Sequence, residues 1–442
     1  MVKASYKFPR GFLWGTATSS YQVEGQNENN DWFHWEQKGQ IHNNEICGEA
    51  CDWWGGRWKQ DLDLAAEAGQ NAHRFSIEWS RVQPEPGEWN QDALDQYRAM
   101  AKGMVDRGLT PLVTLHHFTN PAWITELGGW ENPEIIPYFE HYVKKINQLL
   151  KDYVTLWCTI NEPNVYAVMA YLQGVFPPGK KDLKSTFQVI TNLFRAHVSA
   201  YHLIHQQQYE ARVGLVIHYR DMIPARRWFP PDRLVTKISS RLFNDIFPQA
   251  AQSGTLRLPF RPITIQGGKG TQDFLGINYY TQEMIAASLK SADQPLAKRS
   301  FEPGSLLSET GFIAHKPQGL LNALEWGTQF KLPLMVTENG IEDSLDALRP
   351  RYLVEHIHQV WKAINHNWPI KGYFHWTLVD NFEWERGWSQ RFGLWNLERG
   401  TQERQPRPSA DLYARICQEN ALSRDIAAKY APRSLEKLFP DN

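Results

Sequence analysis

Short apolar runs rich in β-branched and aromatic residues recur along the chain, each followed by polar loop residues and then by apolar positions at helical spacing. Eight such runs predict strands, near Phe12 to Thr16, Asn71 to Ile77, Thr110 to Leu115, Val154 to Ile160, Arg212 to Ile217, Asp273 to Ile277, Leu334 to Thr337 and Ile370 to Trp376. Between them, Gln91 to Arg107 places Leu94, Tyr97, Ala101 and Met104 on one helical face, with Gly108 where a helix-ending residue belongs. Ile135 to Tyr153 does the same with Ile136, Phe139, Val143, Ile146 and Leu150. Alternating strand and helix eight times over predicts an α/β chain folded as one (β/α)8 TIM barrel across residues 1–442, with elaborated βα loops and the helices outside. An open doubly wound sheet is the structural alternative, but no glycine-rich phosphate turn follows the first strand. The stretch from Thr281 to Gly327, with several Pro, Gly and Ser, predicts an elaborated loop rather than a second domain.

Charge narrows the choice of ligand. The 442 residues carry 47 basic and 48 acidic side chains with no block of either sign, which gives no electrostatic reason to expect nucleic acid or a charged membrane surface. A neutral small molecule is the expected partner. No apolar run approaches the ~20 residues that span a bilayer. The start, Met1 to Pro9, lacks the apolar run of a signal peptide, and Cys47, Cys51, Cys158 and Cys417 make no paired framework, so a cytoplasmic protein with reduced thiols is expected. Cys47 and Cys51 lack a second pair of spaced ligands and are read as buried or loop thiols rather than half a metal site. Nineteen Trp supply flat apolar faces suited to sugar rings, though large cores use them too.

In a barrel of this kind chemistry gathers at the C-terminal ends of the strands. Those ends carry Ser19 to Gly25, Arg74, His116-His117-Phe118, Asn161-Glu162-Pro163, Asn278-Tyr279-Tyr280, Glu338, and Trp376 followed by Asp380 to Trp384; the fifth strand offers little beyond His218. Glu162 and Glu338 each follow a strand and each sit beside an Asn, far apart in sequence but brought to one mouth by the barrel. Paired carboxylates around a neutral, hydroxyl-rich ligand suit glycoside hydrolysis, one giving a proton to the leaving oxygen and the other attacking or activating water. A carboxyl separation of ~5 to 5.5 Å goes with retention and ~6.5 to 9.5 Å with inversion.

Four segments in order, Phe12 to Gly25, Thr159-Ile160-Asn161-Glu162-Pro163, Thr337-Glu338-Asn339-Gly340 and His375 to Trp384, resemble the signatures of glycoside hydrolase family 1 over nearly the whole chain. Arg74-Phe75-Ser76-Ile77 and Gly276-Ile277-Asn278-Tyr279-Tyr280 add to the resemblance. It implies a retaining β-glycosidase that needs no cofactor or metal, hydrolyses terminal β-D-glucosides foremost, with β-D-galactosides and β-D-fucosides also in reach, and forms a covalent glycosyl-enzyme. By position, Glu338 matches the nucleophile and Glu162 the general acid/base. Arg74, Asn278 and Tyr280 match residues supporting the nucleophile, keeping it ionised and aimed. Glu162 must then start protonated, with a raised pKa that falls once the intermediate forms. Gln22, His117, Asn161, Glu383 and Trp384 match the hydrogen-bonding shell of the cleaved sugar, with Asn161 at the 2-hydroxyl, and Trp376 its stacking floor. Members acting on 6-phosphorylated sugars lack an acid at the position of Glu383, so an unphosphorylated sugar is expected, and Glu162 is not the glutamine of plant thioglucosidases. The chain departs from the commonest pattern at His116-His117-Phe118, where Tyr-His-Trp is more usual, and in a shortened segment between Gly340 and Pro350, which bears on the aglycone side.

Other classes leave different marks. His116 and His117 are adjacent on a strand and point to opposite faces, which disfavours joint chelation of a metal. His197, His202 and His205 lie in a helical stretch at spacings that suit packing or solvent. A sugar-binding protein that had lost catalysis would lack one glutamate, and a chromogenic β-glucoside separates it from an enzyme. A transglycosylase shares every catalytic residue and stays open, as do the natural aglycone and the oligomeric state.

Overall fold

The computed structural model describes residues 4–259, 261–288 and 296–440. Eight parallel strands close into a barrel: β1 (Leu13–Ala17), β2 (Ala72–Ser76), β3 (Thr110–His116), β4 (Leu156–Asn161), β5 (Arg212–His218), β6 (Phe274–Asn278), β7 (Leu334–Asn339) and β8 (Ile370–His375). Each expected strand is present with no end shifted by more than two residues, and strands adjacent in sequence are adjacent in space, with β8 closing on β1. The helices Gln91–Asp106 and Ile135–Leu150 form where the apolar stripes fall; just past the end of the first, Gly108 takes a left-handed φ of +74°. Ile135–Leu150 stops short of Tyr153 because Lys151 to Tyr153 already turn back, the Tyr153 N–H donating to Leu150 O.

Two apolar layers hold the barrel. One lies between strands and helices; the other fills the bore with Leu112, Val216, Phe274, Met335 and Phe374. The bore is narrow enough that two phenylalanine rings lie against bare backbone. A Cβ on Gly15 would stand 2.7 Å from the Phe374 ring, and one on Gly214 2.5 Å from Phe274 O. The rings fit only because those strand positions lack side chains.

The strand ladders slip by one residue just before both glutamates. Ile277 pairs with Val336 but Asn278 with Glu338, and Cys158 pairs with Gly214 but Asn161 with Val216. Such bulges raise the local twist and re-aim the side chains that follow.

The Thr281 to Gly327 stretch is more ordered than a loop. Gln282–Ala287 pairs with Ala297–Ser300 on one side and Asp221–Pro224 on the other in a three-stranded sheet beside the mouth, and Pro317–Thr328 is a helix burying Leu320, Ala323 and Leu324. The turn-forming residues mask the helix, which Pro317 starts from its first turn. Among the described residues, no helix is long and apolar enough to cross a membrane. Cys47, Cys51, Cys158 and Cys417 are buried free thiols, and the Cys47 and Cys51 thiols donate to the Tyr21 and Asp380 carbonyls.

Candidate active site

A cavity of about 470 Å³ opens at the C-terminal end of the barrel, a size usual for small-molecule sites, and both Glu162 and Glu338 line it. Glu338, at the end of β7, is almost fully buried. Its Oε1 accepts from Arg74 Nη1 at 2.5 Å and its Oε2 from the Tyr280 hydroxyl at 2.7 Å. Arg74 is fixed in turn, donating from Nε to Thr114 Oγ1 at 3.0 Å and from Nη2 to Asn161 Oδ1 at 2.6 Å. This buried ion pair is aligned before any ligand arrives; stripping one partner from such a pair typically costs ~3–5 kcal/mol.

Glu162 follows β4 with a φ of +44°, a left-handed conformation that few non-glycine residues adopt. Pro163 then starts a short helix, and the Glu162 N–H donates to Val216 O at 2.8 Å. Its side-chain Oε1 accepts from Asn278 Nδ2 at 2.8 Å and lies 3.1 Å from His218 Nδ1. Asn278 was expected beside the nucleophile; it stands on Glu162 and Asn161 instead, with its Oδ1 accepting from the Thr337 hydroxyl. The slip of the β6–β7 ladder accounts for this: Glu338 is carried toward Arg74 and Tyr280, while the neighbouring Asn278 turns to β4.

The other expected residues form a connected wall. Glu383 Oε1 accepts from Trp376 Nε1 at 3.0 Å and its Oε2 from Gln22 Nε2 at 3.2 Å, and Gln22 is itself held by the Ser19 hydroxyl and the Phe382 carbonyl. His117 Nε2 accepts from Asn161 Nδ2 at 3.1 Å. Burial, with Arg74 adding, drives the His117 pKa well down, so the ring is neutral and its proton sits on Nδ1, which has no protein partner among the described residues. Trp384 stacks on His117 with ring centroids 5.9 Å apart, and Phe118 meets Trp384 edge-on at 5.2 Å. Phe118 also lines the cavity, so the unusual residue after the third strand shapes the pocket directly. His116 turns away from the cavity to Asn120, and His197 bridges the Thr159 hydroxyl and the Thr271 carbonyl in the core.

The two carboxyls titrate as a pair. Burial pushes Glu338 up to about 7; Arg74 opposes the rise and the charge on Glu162 adds to it. At Glu162 burial acts in the same direction, but His218 and Asn278 more than offset it and hold the group below the ordinary carboxylate range. The order of the two is therefore the reverse of the expected one. The cause is the His218 imidazole, which the fifth strand end contributes and to which sequence reasoning gave no role. Glu383 is raised well above its usual value, first by burial, with Trp376 opposing and Glu338 adding.

Residues 4–422 match the sequence profile of Glycosyl hydrolase family 1. Beta-glucosidase A of Thermotoga maritima is 34% identical over 94% of this chain and 99% of its own length. A beta-galactosidase of Pyrococcus woesei is 29% identical over 95% of this chain and 98% of its own. Among solved structures, a beta-glycosidase from Pyrococcus horikoshii superposes with a TM-score of 0.90 at 36% identity, covering 97% of this chain and 98% of that one. The family 1 β-glucosidase from Thermotoga maritima in complex with isofagomine lactam superposes with a TM-score of 0.89 at 31% identity, over 95% of this chain and all of that one. With both glutamates on one cavity of a closed eight-stranded barrel, and with these likenesses along nearly the full chain, the chain belongs to glycosyl hydrolase family 1 and is a β-glycosidase.

Proposed function

We propose that the protein hydrolyses terminal β-D-glucosides by double displacement with retention, Glu338 acting as nucleophile and Glu162 as general acid/base. The observation that carries this reading is the unequal support of the two glutamates: a guanidinium and a phenol converge on Glu338, whereas Glu162 has an amide and a titratable imidazole. Two fixed donors stabilise a carboxylate aimed at the anomeric carbon and cost no reorganisation as charge moves. Protonated Glu162 then delivers its proton to the glycosidic oxygen as that bond breaks. Once Glu338 is esterified its charge is gone, so Glu162 loses its proton readily and serves as the base that activates water.

The sugar shell accounts for specificity. His117 Nδ1–H, Glu383 and Asn161 present donors and acceptors to vicinal hydroxyls out of bulk water, where each missing partner costs ~1 to 3 kcal/mol. Gln22 acts from behind Glu383, and Trp376 and Trp384 supply apolar faces. A carboxyl at Glu383 disfavours a 6-phosphate. The related Thermotoga maritima β-glucosidase has been solved with a galacto-hydroximolactam as well as with glucoimidazole, which supports β-D-galactosides as secondary substrates here. The whole chain acts as one catalytic unit, and its four buried free thiols suit a reducing cytoplasm.

A panel of 4-nitrophenyl β-D-glycosides tests the reading: kcat/KM is expected to be highest for the glucoside and lower for the galactoside and fucoside, with the α-glucoside and β-glucoside 6-phosphate inert. Turnover of the 6-phosphate in preference to the parent sugar would sink the assignment of Glu383.

His218 sets the pH range. Removing a group that favours the charged form of Glu162 raises the pKa of the general acid, so the proton is kept to higher pH. His218→Leu is expected to move the alkaline limb of kcat/KM to higher pH. An unmoved or lowered limb contradicts the coupling.

A further inference from the structure

Beyond Glu162 the cavity wall changes sign. The sugar end is lined by Glu162, Glu338 and Glu383, and Glu385 and Arg386 pair with each other at 3.2 Å, but the opposite wall carries Arg220, Glu283 and Arg299, two guanidiniums against one carboxylate. Arg220 follows β5 by two residues, and Glu283 and Arg299 come from the three-stranded sheet beside the mouth.

Arg220 is the informative member. It is 91% buried, yet among the described residues it forms no ion pair and its Nη1 has no hydrogen-bond partner. Its position is built rather than incidental. The backbone N–H donates to Asn244 Oδ1 at 3.0 Å, the backbone carbonyl accepts from Asn244 Nδ2 at 2.9 Å, and the guanidinium lies 4.3 Å over the Phe243 ring. Burial lowers its pKa to about 10, which still leaves it charged at neutral pH. Arg299 is only loosely held, its Nη1 standing 3.4 Å from Glu283 Oε1 while Arg299 Nε and Glu283 Oε2 have no partner among the described residues. Nor is Arg220 the counter-ion of Glu162, whose contacts are Asn278 and His218. Glu283 and Glu162 act on the Arg220 charge from nearby but neither pairs with it, so this buried, preoriented guanidinium keeps a donor that an oxyanion can take.

Resting on the β-glycosidase reading above, we propose that the leaving-group side of the cavity, Arg220 with Arg299, binds an oxyanion on the aglycone, so that the preferred substrates are β-glycosides whose leaving group carries a carboxylate or sulfonate-type anion. Bond cleavage is unchanged: the anion only anchors the departing alcohol, which takes the proton from Glu162.

The test compares kcat/KM for 4-carboxyphenyl, 4-sulfophenyl and uncharged 4-carbamoylphenyl β-D-glucosides in the wild type, Arg220→Gln and Arg299→Gln. Dividing the wild-type anion-to-amide ratio by that of a variant cancels differences in leaving-group acidity. The quotient is expected to be about tenfold to a hundredfold for Arg220→Gln, the worth of one charge-assisted hydrogen bond away from water, and smaller but above one for Arg299→Gln. A larger quotient for the carboxylate than the sulfonate assigns the site to carboxylates, and the converse to sulfonates; both uphold it. A quotient of one in Arg220→Gln overturns the proposal, including the case in which all three glucosides weaken together because Arg220 serves Glu162. Should Arg220→Gln fold poorly, Arg299→Gln decides by the same quotient. Failure of every glucoside in the wild type would instead remove the β-glucosidase reading.

Discussion

Glu338→Gly is expected to lower kcat on 4-nitrophenyl β-D-glucoside by at least about four orders of magnitude, because no other group reaches the anomeric carbon from that face. Sodium azide is expected to restore turnover with α-D-glucosyl azide as product. The small anion enters the space left by the carboxylate, pairs with Arg74 and attacks once, so configuration inverts; Glu162, as conjugate base, has no water to activate in that step. The variant also strands Arg74, whose buried Nη1 loses its partner at Glu338, so a lower melting temperature accompanies the loss and circular dichroism must establish that the protein is folded. A variant that keeps a tenth of the activity, or yields the β-azide, contradicts the role assigned to Glu338.

Glu162→Ala is expected to separate substrates by leaving group. Cellobiose, whose departing alcohol is a poor leaving group, loses about 10² to 10⁴ in kcat/KM, the usual worth of a positioned general acid. An aryl glucoside with a strongly acidic phenol, such as the 2,4-dinitrophenyl compound, needs little protonation and loses far less in kcat/KM, although kcat falls because water is no longer activated in the second step. Azide then intercepts the glycosyl-enzyme from the side Glu162 has vacated and gives β-D-glucosyl azide. Opposite anomers from the two variants place the two glutamates on opposite faces of the sugar. Equal losses on both substrates would contradict general-acid catalysis by Glu162.

The barrel was legible because its strands carry their own signal: buried runs such as Leu334 to Thr337 admit little but apolar side chains until the end of the strand, where Glu338 appears. The polar strand ends gave the site for the same reason. What the sequence could not carry is lateral contact. Asn278 belongs to Glu162 rather than Glu338 because of a one-residue slip in the β6–β7 ladder, and no local pattern announces a bulge. His218 was visible at a strand end but looked isolated, since its partner lies 56 positions earlier and is reached only across β4 and β5. Arg220 was hidden more deeply, because a charged side chain in a loop is ordinarily solvated and only burial without an ion pair distinguishes this one. The helix Pro317–Thr328 was lost among turn-forming neighbours, although Leu320, Ala323 and Leu324 hold the expected spacing.

The central claim is a covalent bond between Glu338 and the sugar, and trapping that bond tests it most directly. A 2-deoxy-2-fluoro-β-D-glucosyl fluoride carries a fluorine that destabilises both oxocarbenium-like transition states and a leaving group good enough to let the first proceed. Incubation is expected to inactivate the enzyme with one fluoroglucosyl group per chain, and peptide mass spectrometry should place it on Glu338. An enzyme that hydrolyses β-glucosides but takes up no label, or carries the label on a residue other than Glu338, would contradict the account.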